Sequence, residues 1–182
     1  MGNKVSRSYR AFRARKLRRF ILVGLDNSGK TTLKEHMLGL NKEGTVPTME
    51  AEHFQVKFGG YTFLVTDLGG QVHLRHFWRH HYTGAQGVIF VVDATDPDRF
   101  ADAKEELRSI FSDDQLDSVP LVVFANKQDK GNAASKDEVF KAVCPDKEKM
   151  RNRAVMVVAC SILNGEGVYD GLKWLTQVSD RV

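Results

Sequence analysis

The sequence is poor in cysteine. Two residues in 182, Cys144 and Cys160, have neither metal-ligand spacing nor the number a disulfide framework needs, so both are expected to be reduced thiols. Long hydrophobic runs are missing too: stretches such as Val88–Val92 fall far short of the ~18 residues that would suggest a membrane span. No apolar segment follows the basic start as a secretory signal requires, which makes a cytosolic protein the expectation. Internal repeats and low-complexity tracts are absent, and the length fits one domain. Acidic residues are missing from one place in particular. The first 20 residues contain Lys4, Arg7, Arg10, Arg13, Arg15, Lys16, Arg18 and Arg19 and no carboxylate. Subtracting this +8 from the chain's net +4 leaves −4 for residues 21–182. A basic arm on a mildly acidic body implies a polyanionic partner for the arm alone, whether a membrane surface, a nucleic acid or an acidic protein.

What is present reads as an ordinary globular body, 42% hydrophobic and 27% charged, with enough apolar residues for a sizeable core. From Phe20 onward short apolar runs alternate with helical periodicities, the pattern of a mostly parallel sheet with helices on both faces. Phe20–Val23, Gly87–Val92, Leu121–Phe124 and Ala154–Ala159 read as buried strands. His53–Phe58 alternates, and Tyr61–Thr66 follows after Gly59-Gly60, a two-residue connection that predicts an antiparallel hairpin. Helices are predicted from Lys30 to about Leu40, around Phe100, Ala103, Leu107, Ile110 and Phe111, and around Val168, Leu172, Leu175 and Val178. Another is predicted to begin at Ser135, where Glu138 completes a capping box. The expected architecture is an α/β sandwich of five parallel strands and one antiparallel edge strand.

Three motifs fall at the ends of three of these strands. Gly24-Leu25-Asp26-Asn27-Ser28-Gly29-Lys30-Thr31 fits G-x-x-x-x-G-K-S/T between a strand and a helix. Its glycines let backbone N–H groups surround phosphate oxygens, Lys30 reaches the β and γ phosphates, and the Thr31 hydroxyl suits Mg²⁺. Asp67-Leu68-Gly69-Gly70-Gln71 follows the third strand, where Asp67 can hold Mg²⁺ through water, Gly70 can meet a γ phosphate and Gln71 can orient an attacking water. Asn126-Lys127-Gln128-Asp129 follows the fifth. A carboxylate at Asp129 would accept from the N1–H and 2-amino donors of guanine, which adenine does not offer.

With these motifs in this order, residues from Phe20 to the C-terminus resemble the Arf and Sar family of small GTPases. Asp26, Val46-Pro47-Thr48 and Phe77-Trp78-Arg79 add to the likeness. The resemblance implies a phosphate-loop NTPase fold of the small G-domain type over residues 20–182, preceded by a membrane arm at residues 1–19. It implies a switch that binds GTP or GDP with Mg²⁺, hydrolyses GTP slowly and recruits effectors to membranes. By the same resemblance Gly24, Asp26, Asn27, Ser28, Gly29, Lys30, Thr31 and Thr32 contact the phosphates. Thr48 joins Thr31 and Asp67 at the metal, Gly70 binds the γ phosphate and Gln71 is catalytic. Asn126, Lys127 and Asp129 hold the base, with Lys127 packed on the guanine ring. Cys160, Ser161 and Ile162 resemble the base-contacting loop of the Sar branch. An exchange factor, an activating protein and effectors are implied as partners, and a monomer that binds no DNA or RNA is expected. One departure stands out. After Thr48 the family usually continues with an apolar residue, glycine, phenylalanine and asparagine, whereas this chain has Met49-Glu50-Ala51-Glu52, so the family's partners do not carry over.

At the N-terminus, Met1-Gly2-Asn3-Lys4-Val5-Ser6 fits M-G-x-x-x-S/T, making Gly2 a candidate for myristoylation. One acyl chain binds marginally, but the adjacent cations add about 1 kcal/mol each near an anionic leaflet. The expected location is therefore cytoplasmic and peripheral to a membrane, the Golgi or another endomembrane among them. A nucleic-acid arm, with Tyr9 and Phe12 stacking on bases, and an unliganded tail are the rivals. His73, His76, His80 and His81 invite a metal reading, with His76 and His80 on one helical face. The favoured reading is a partner surface in which Phe77, Trp78 and Tyr82 act as anchors between Arg75 and Arg79. A phosphate-loop kinase or ATPase is the alternative for the body; it is disfavoured by Asp129 and by the absence of an arginine-rich lid segment.

Overall fold

The computed structural model describes residues 17–39, 51–144, 150 and 153–180. The candidate acylation site Gly2, the arm as far as Lys16, Thr48 and Glu50 lie outside the described residues.

The strands are β1 (Leu17–Gly24), β2 (Ala51–Phe58), β3 (Tyr61–Leu68), β4 (Gly87–Asp93), β5 (Leu121–Asn126) and β6 (Val155–Ala159). The α-helices are α1 (Lys30–Leu38), α2 (Phe100–Ser112), α3 (Lys136–Val143) and α4 (Val168–Ser179), and a 3-10 helix runs over Val72–His81. The sheet order is β2-β3-β1-β4-β5-β6, with β2 antiparallel to β3 and the remaining pairs parallel. The expected five-plus-one sheet is therefore present, with β2 at its edge.

Alternating side chains of each central strand enter two separate cores. Ile21, Val23, Val88, Phe90, Leu121 and Val123 pack against Leu107 and Ile110 of α2, Val139 of α3, and Trp78 and Tyr82. Phe20, Leu22, Ile89, Val91, Val122 and Phe124 pack against Leu33 of α1 and Leu172 and Leu175 of α4. A strand covered on both faces has no polar side, so β4 and β5 are buried at every residue and read as continuous apolar runs.

Element ends differ from the sequence reading by a few residues. β1 starts at Leu17, three residues before Phe20, because Leu17, Arg18 and Arg19 still pair with Thr62, Phe63 and Leu64. Arg18 forms an ion pair with Asp180 at the end of α4, and Asp180 also accepts from the Tyr61 hydroxyl at 2.5 Å. Helix α1 ends at Leu38, where Gly39 turns left-handed and its N–H bonds to the carbonyls of Glu35 and His36. The β2–β3 turn has positive φ at both Gly59 and Gly60, the type I′ geometry that matches strand twist. The capping box at α3 is complete: Ser135 Oγ accepts from the Glu138 N–H, and the Glu138 carboxylate accepts from the Ser135 N–H.

The segment after β3 requires a correction. Only Phe77 of the three proposed anchors is exposed; Trp78 and Tyr82 belong to the core, and Trp78 Nε1 donates to the Gly69 carbonyl at 2.8 Å. The segment is also a 3-10 helix, in which residues four apart are rotated by about 120°. His76 and His80 therefore do not share a face as they would on an α-helix. Among the described residues no group of three or more His, Cys, Asp or Glu side chains is arranged to hold a metal ion.

Candidate nucleotide site

At the C-terminal ends of the parallel strands, a cavity of about 540 Å³ opens between the β1–α1 loop, the segment after β3 and the segment after β5. Asp26, Asn27, Gly29, Lys30, Thr31, Thr32, Gly70, Gln71, Asn126, Lys127 and Asp129 line it. Three motifs separated by roughly a hundred residues of chain thus face one space.

The loop from Leu25 to Gly29 is held by β5 from behind. Asn126 Nδ2 donates to the Ser28 carbonyl at 2.9 Å, and Asn126 Oδ1 accepts from the Ile162 N–H at 3.0 Å. One amide thereby ties the β1–α1 loop to the segment after β6. Gly29, at φ 108°, lies so close that a side-chain carbon would stand 2.3 Å from Asn126 Nδ2, which excludes larger residues.

Lys30 is nearly buried and donates to the carbonyls of Gly24 at 2.9 Å and Leu25 at 2.8 Å. Burial lowers its pKa from 10.5 to about 8, against the opposing charges of Asp67 and Asp26; Arg75 and Arg99 lower it further. Asp26 sits between two arginines: its carboxylate accepts from Arg75 Nη2 and Arg99 Nη1, both at 3.3 Å. Arg75 also donates to the Gly70 carbonyl at 2.9 Å and to Glu106 of α2 at 3.3 Å. This bracing joins the β1–α1 loop, the 3-10 helix and α2. It is illegible in the sequence because its members come from four separated segments.

On the base side, Lys127 has a left-handed backbone at φ 69° and donates to Asp93 at 2.5 Å. Burial works against the Asp93 charge, but bonds from Lys127 and Thr95 hold its carboxyl below the ordinary value. Asp129 Oδ1 accepts from Ser161 Oγ at 2.8 Å.

Several predicted residues form the walls rather than the lining. Gly24 and Ser28 lie behind the loop, Asp67 is fully buried at the end of β3, and Cys160, Ser161 and Ile162 are buried behind Asn126 and Asp129. Burial pushes the Cys160 thiol up to about 12, so it is an inert core group. Lys130 and Leu163 line the cavity although no motif includes them. Their only signal in the sequence is position, each being the next residue after a recognised motif. Glu52, one of the two unusual first-switch acids, pairs with Lys34 of α1 at 2.5 Å.

A phosphate loop before α1, the Gly70-Gln71 segment after β3 and a guanine-type base motif after β5, all facing one cavity, define a GTP-binding α/β domain. The pattern of the ADP-ribosylation factor family matches residues 5–179, and the chain belongs to that family. It is a GTP-binding switch that hydrolyses GTP. Among solved structures it is similar to the Arl6 BBS3 small GTPase from Trypanosoma brucei with bound nucleotide analogue GppNp. The two share 28% identity over 91% of this chain and 98% of that chain, with a TM-score of 0.82.

Proposed function

We propose that this GTPase is a peripheral membrane switch whose basic arm, acylated at Gly2, holds it at an anionic endomembrane surface such as the Golgi, where it recruits effectors. The single observation behind the membrane half is the concentration of six cations, from Lys4 to Lys16, ahead of β1 and beside a myristoylation pattern. An exchange factor and an activating protein set its state.

In the chemistry we infer, GTP occupies the 540 Å³ cavity with its base against Asp129 and Lys127 and its phosphates in the β1–α1 loop. Lys30 exchanges the Gly24 and Leu25 carbonyls for β and γ phosphate oxygens, whose negative charge offsets the burial that lowers its pKa. The Gly70 N–H faces the γ phosphate and Gln71 orients the attacking water. Thr31 and Asp67 are hard oxygen donors close to Lys30, a set that suits Mg²⁺, with Thr48 supplied from the first switch. Bound there, Mg²⁺ neutralises charge on the β and γ phosphates. Among the described residues that line the cavity with Gln71 there is no histidine or glutamate to serve as a general base, so unaided turnover is slow and an activator completes the site.

The test joins both halves. Acylated protein loaded with GDP or a non-hydrolysable GTP analogue is floated with phosphatidylserine vesicles, with Gly2→Ala as control. Loss of binding in the variant supports the anchor; undiminished binding of Gly2→Ala removes it. In parallel, Gln71→Leu should abolish activator-stimulated hydrolysis while leaving nucleotide affinity intact. Unchanged stimulated hydrolysis would refute the role of Gln71.

A further inference from the structure

A second, smaller cleft lies on the sheet face away from α1. Its volume is about 230 Å³, and it is bounded by the start of β1, the β2–β3 hairpin and the C-terminal end of the 3-10 helix. Four basic side chains line it: Arg19 from β1, His53 from β2, and His80 and His81 from the 3-10 helix. Its floor is apolar, with Ile21 and Leu64 among the lining residues.

Among the described residues no carboxylate lines this cleft. Strand alternation explains why: Glu52 and Asp67, the neighbours of His53 and Thr66, point to the opposite face of the sheet. Glu52 pairs there with Lys34, and Asp67 is buried beside the nucleotide site. Arg79 on the same 3-10 helix is turned to Asp113 at 3.8 Å. From β3 the cleft receives only Leu64 and Thr66, and from the segment after the 3-10 helix only Thr83 and Ala85.

The histidines come close enough to share a ligand. The His53 and His81 rings are 6.3 Å apart between centroids, and His53 Nδ1 lies 3.0 Å from Thr66 Oγ1. Burial, then the charges of His53 and His80, hold the His81 pKa below its ordinary value, so without a ligand it is neutral at pH 7. When imidazoles of this cleft carry protons, nothing among its described neighbours balances the added charge. An anion that enters then offsets their repulsion, and binding and protonation strengthen each other by the same factor.

We propose that this cleft is a proton-dependent recognition site for a glutamate side chain of an acidic segment in a partner protein. The apolar floor selects the ligand class. The methylenes of a glutamate can lie on Ile21 and Leu64 while its carboxylate meets the basic rim, whereas a free phosphate has no apolar part to bury there. The site is separate from the nucleotide cavity and adds a pH input to the hairpin and the 3-10 helix.

The probe is a fluorescein-labelled hexaglutamate peptide, titrated by anisotropy into the GDP-loaded full chain from pH 7.5 to 5.5 at constant ionic strength. Affinity should rise at least about tenfold over this range, the size expected when binding takes up on average about half a proton across its two pH units. The arm holds no histidine, and the double variant below keeps the arm and its terminal amine, so whatever they contribute to the rise remains in that control. The double variant His53→Gln, His81→Gln should keep the pH 7.5 affinity and lose the rise, with unchanged GDP affinity. In the unaltered protein, the imidazole NMR signals of His53 and His81 should titrate at higher pH when the peptide is present, a readout independent of how the variant folds. A pH-independent affinity, an equal rise in the double variant, or unmoved imidazole titrations would overturn the proposal. Displacement of the peptide by millimolar inorganic phosphate at matched ionic strength would overturn the assignment to a carboxylate ligand.

Discussion

Gly70 lies against Lys30 so closely that a side-chain carbon on the glycine would stand 2.3 Å from Lys30 Nζ. The same carbon would be 2.6 Å from the Asp26 nitrogen and the Gly24 carbonyl oxygen. The lysine tip can swing away, but the two backbone atoms cannot. Gly70→Ala should therefore push the segment after β3 off the β1–α1 loop and break the 3.1 Å bond from the Asp26 N–H to the Gly70 carbonyl. Affinity for a non-hydrolysable GTP analogue should fall about tenfold relative to GDP, read by competition with a fluorescent guanine nucleotide. Equal loss for both nucleotides would mean the contact serves the loop rather than the γ phosphate.

Lys30 gives the nucleotide-free protein a pH dependence of definite sign. Its proton is held to about pH 8 in the folded chain and to 10.5 when unfolded, so the unfolded state binds more protons between these values. Stability from this group is complete above 10.5 and is lost as pH falls through 8, with a slope of at most about 1.4 kcal/mol per pH unit. The urea midpoint of the nucleotide-free protein should rise from pH 8 to 9.5 relative to that of Lys30→Met. With GDP bound, phosphate charge raises the lysine pKa and the difference should vanish.

Ser161 acts on the base through Asp129. Removing its hydroxyl takes one of the donors from a carboxylate that must be aimed at guanine, at a cost of about 1.5 kcal/mol, roughly a tenfold loss. Ser161→Ala should weaken GDP binding by that factor with little change in melting temperature. Asp129→Asn should collapse guanine binding altogether. Titration of both variants with GDP and ADP checks the order of the two effects.

The capping box of α3 stands apart from the nucleotide. Ser135→Ala leaves the Glu138 N–H without its side-chain acceptor, and the loss should be about 1 kcal/mol in urea denaturation. GDP affinity should be unaltered, since no residue of α3 lines the cavity.

Features set by near neighbours are legible in the sequence. The β2–β3 turn follows from Gly59-Gly60, the start of α3 from Ser135 and Glu138, and the phosphate loop from Gly24, Gly29 and Lys30, because each depends on residues a few positions apart. The 3-10 helix is not legible in this way. Its Trp78 and Tyr82 look like surface anchors between arginines, and only packing against α2 and the sheet, with the Trp78 bond to the Gly69 carbonyl, turns them inward. Lys130 and Leu163 escape a reading by motif because a motif defines where a signature stops, while a cavity wall continues past it.

By itself the sequence determined the strand and helix alternation, the three motifs and their order, and the separation of a basic arm from an acidic body. These depend on side-chain type and short spacing. Only the tertiary structure decided that Arg75 and Arg99 brace Asp26, that Asn126 joins two loops through one amide, and that Arg19, His53, His80 and His81 meet in one cleft. Each of these joins residues far apart in the chain. Their encounter depends on strand order and on which face of the sheet each side chain takes, and neither is written in any single stretch of residues.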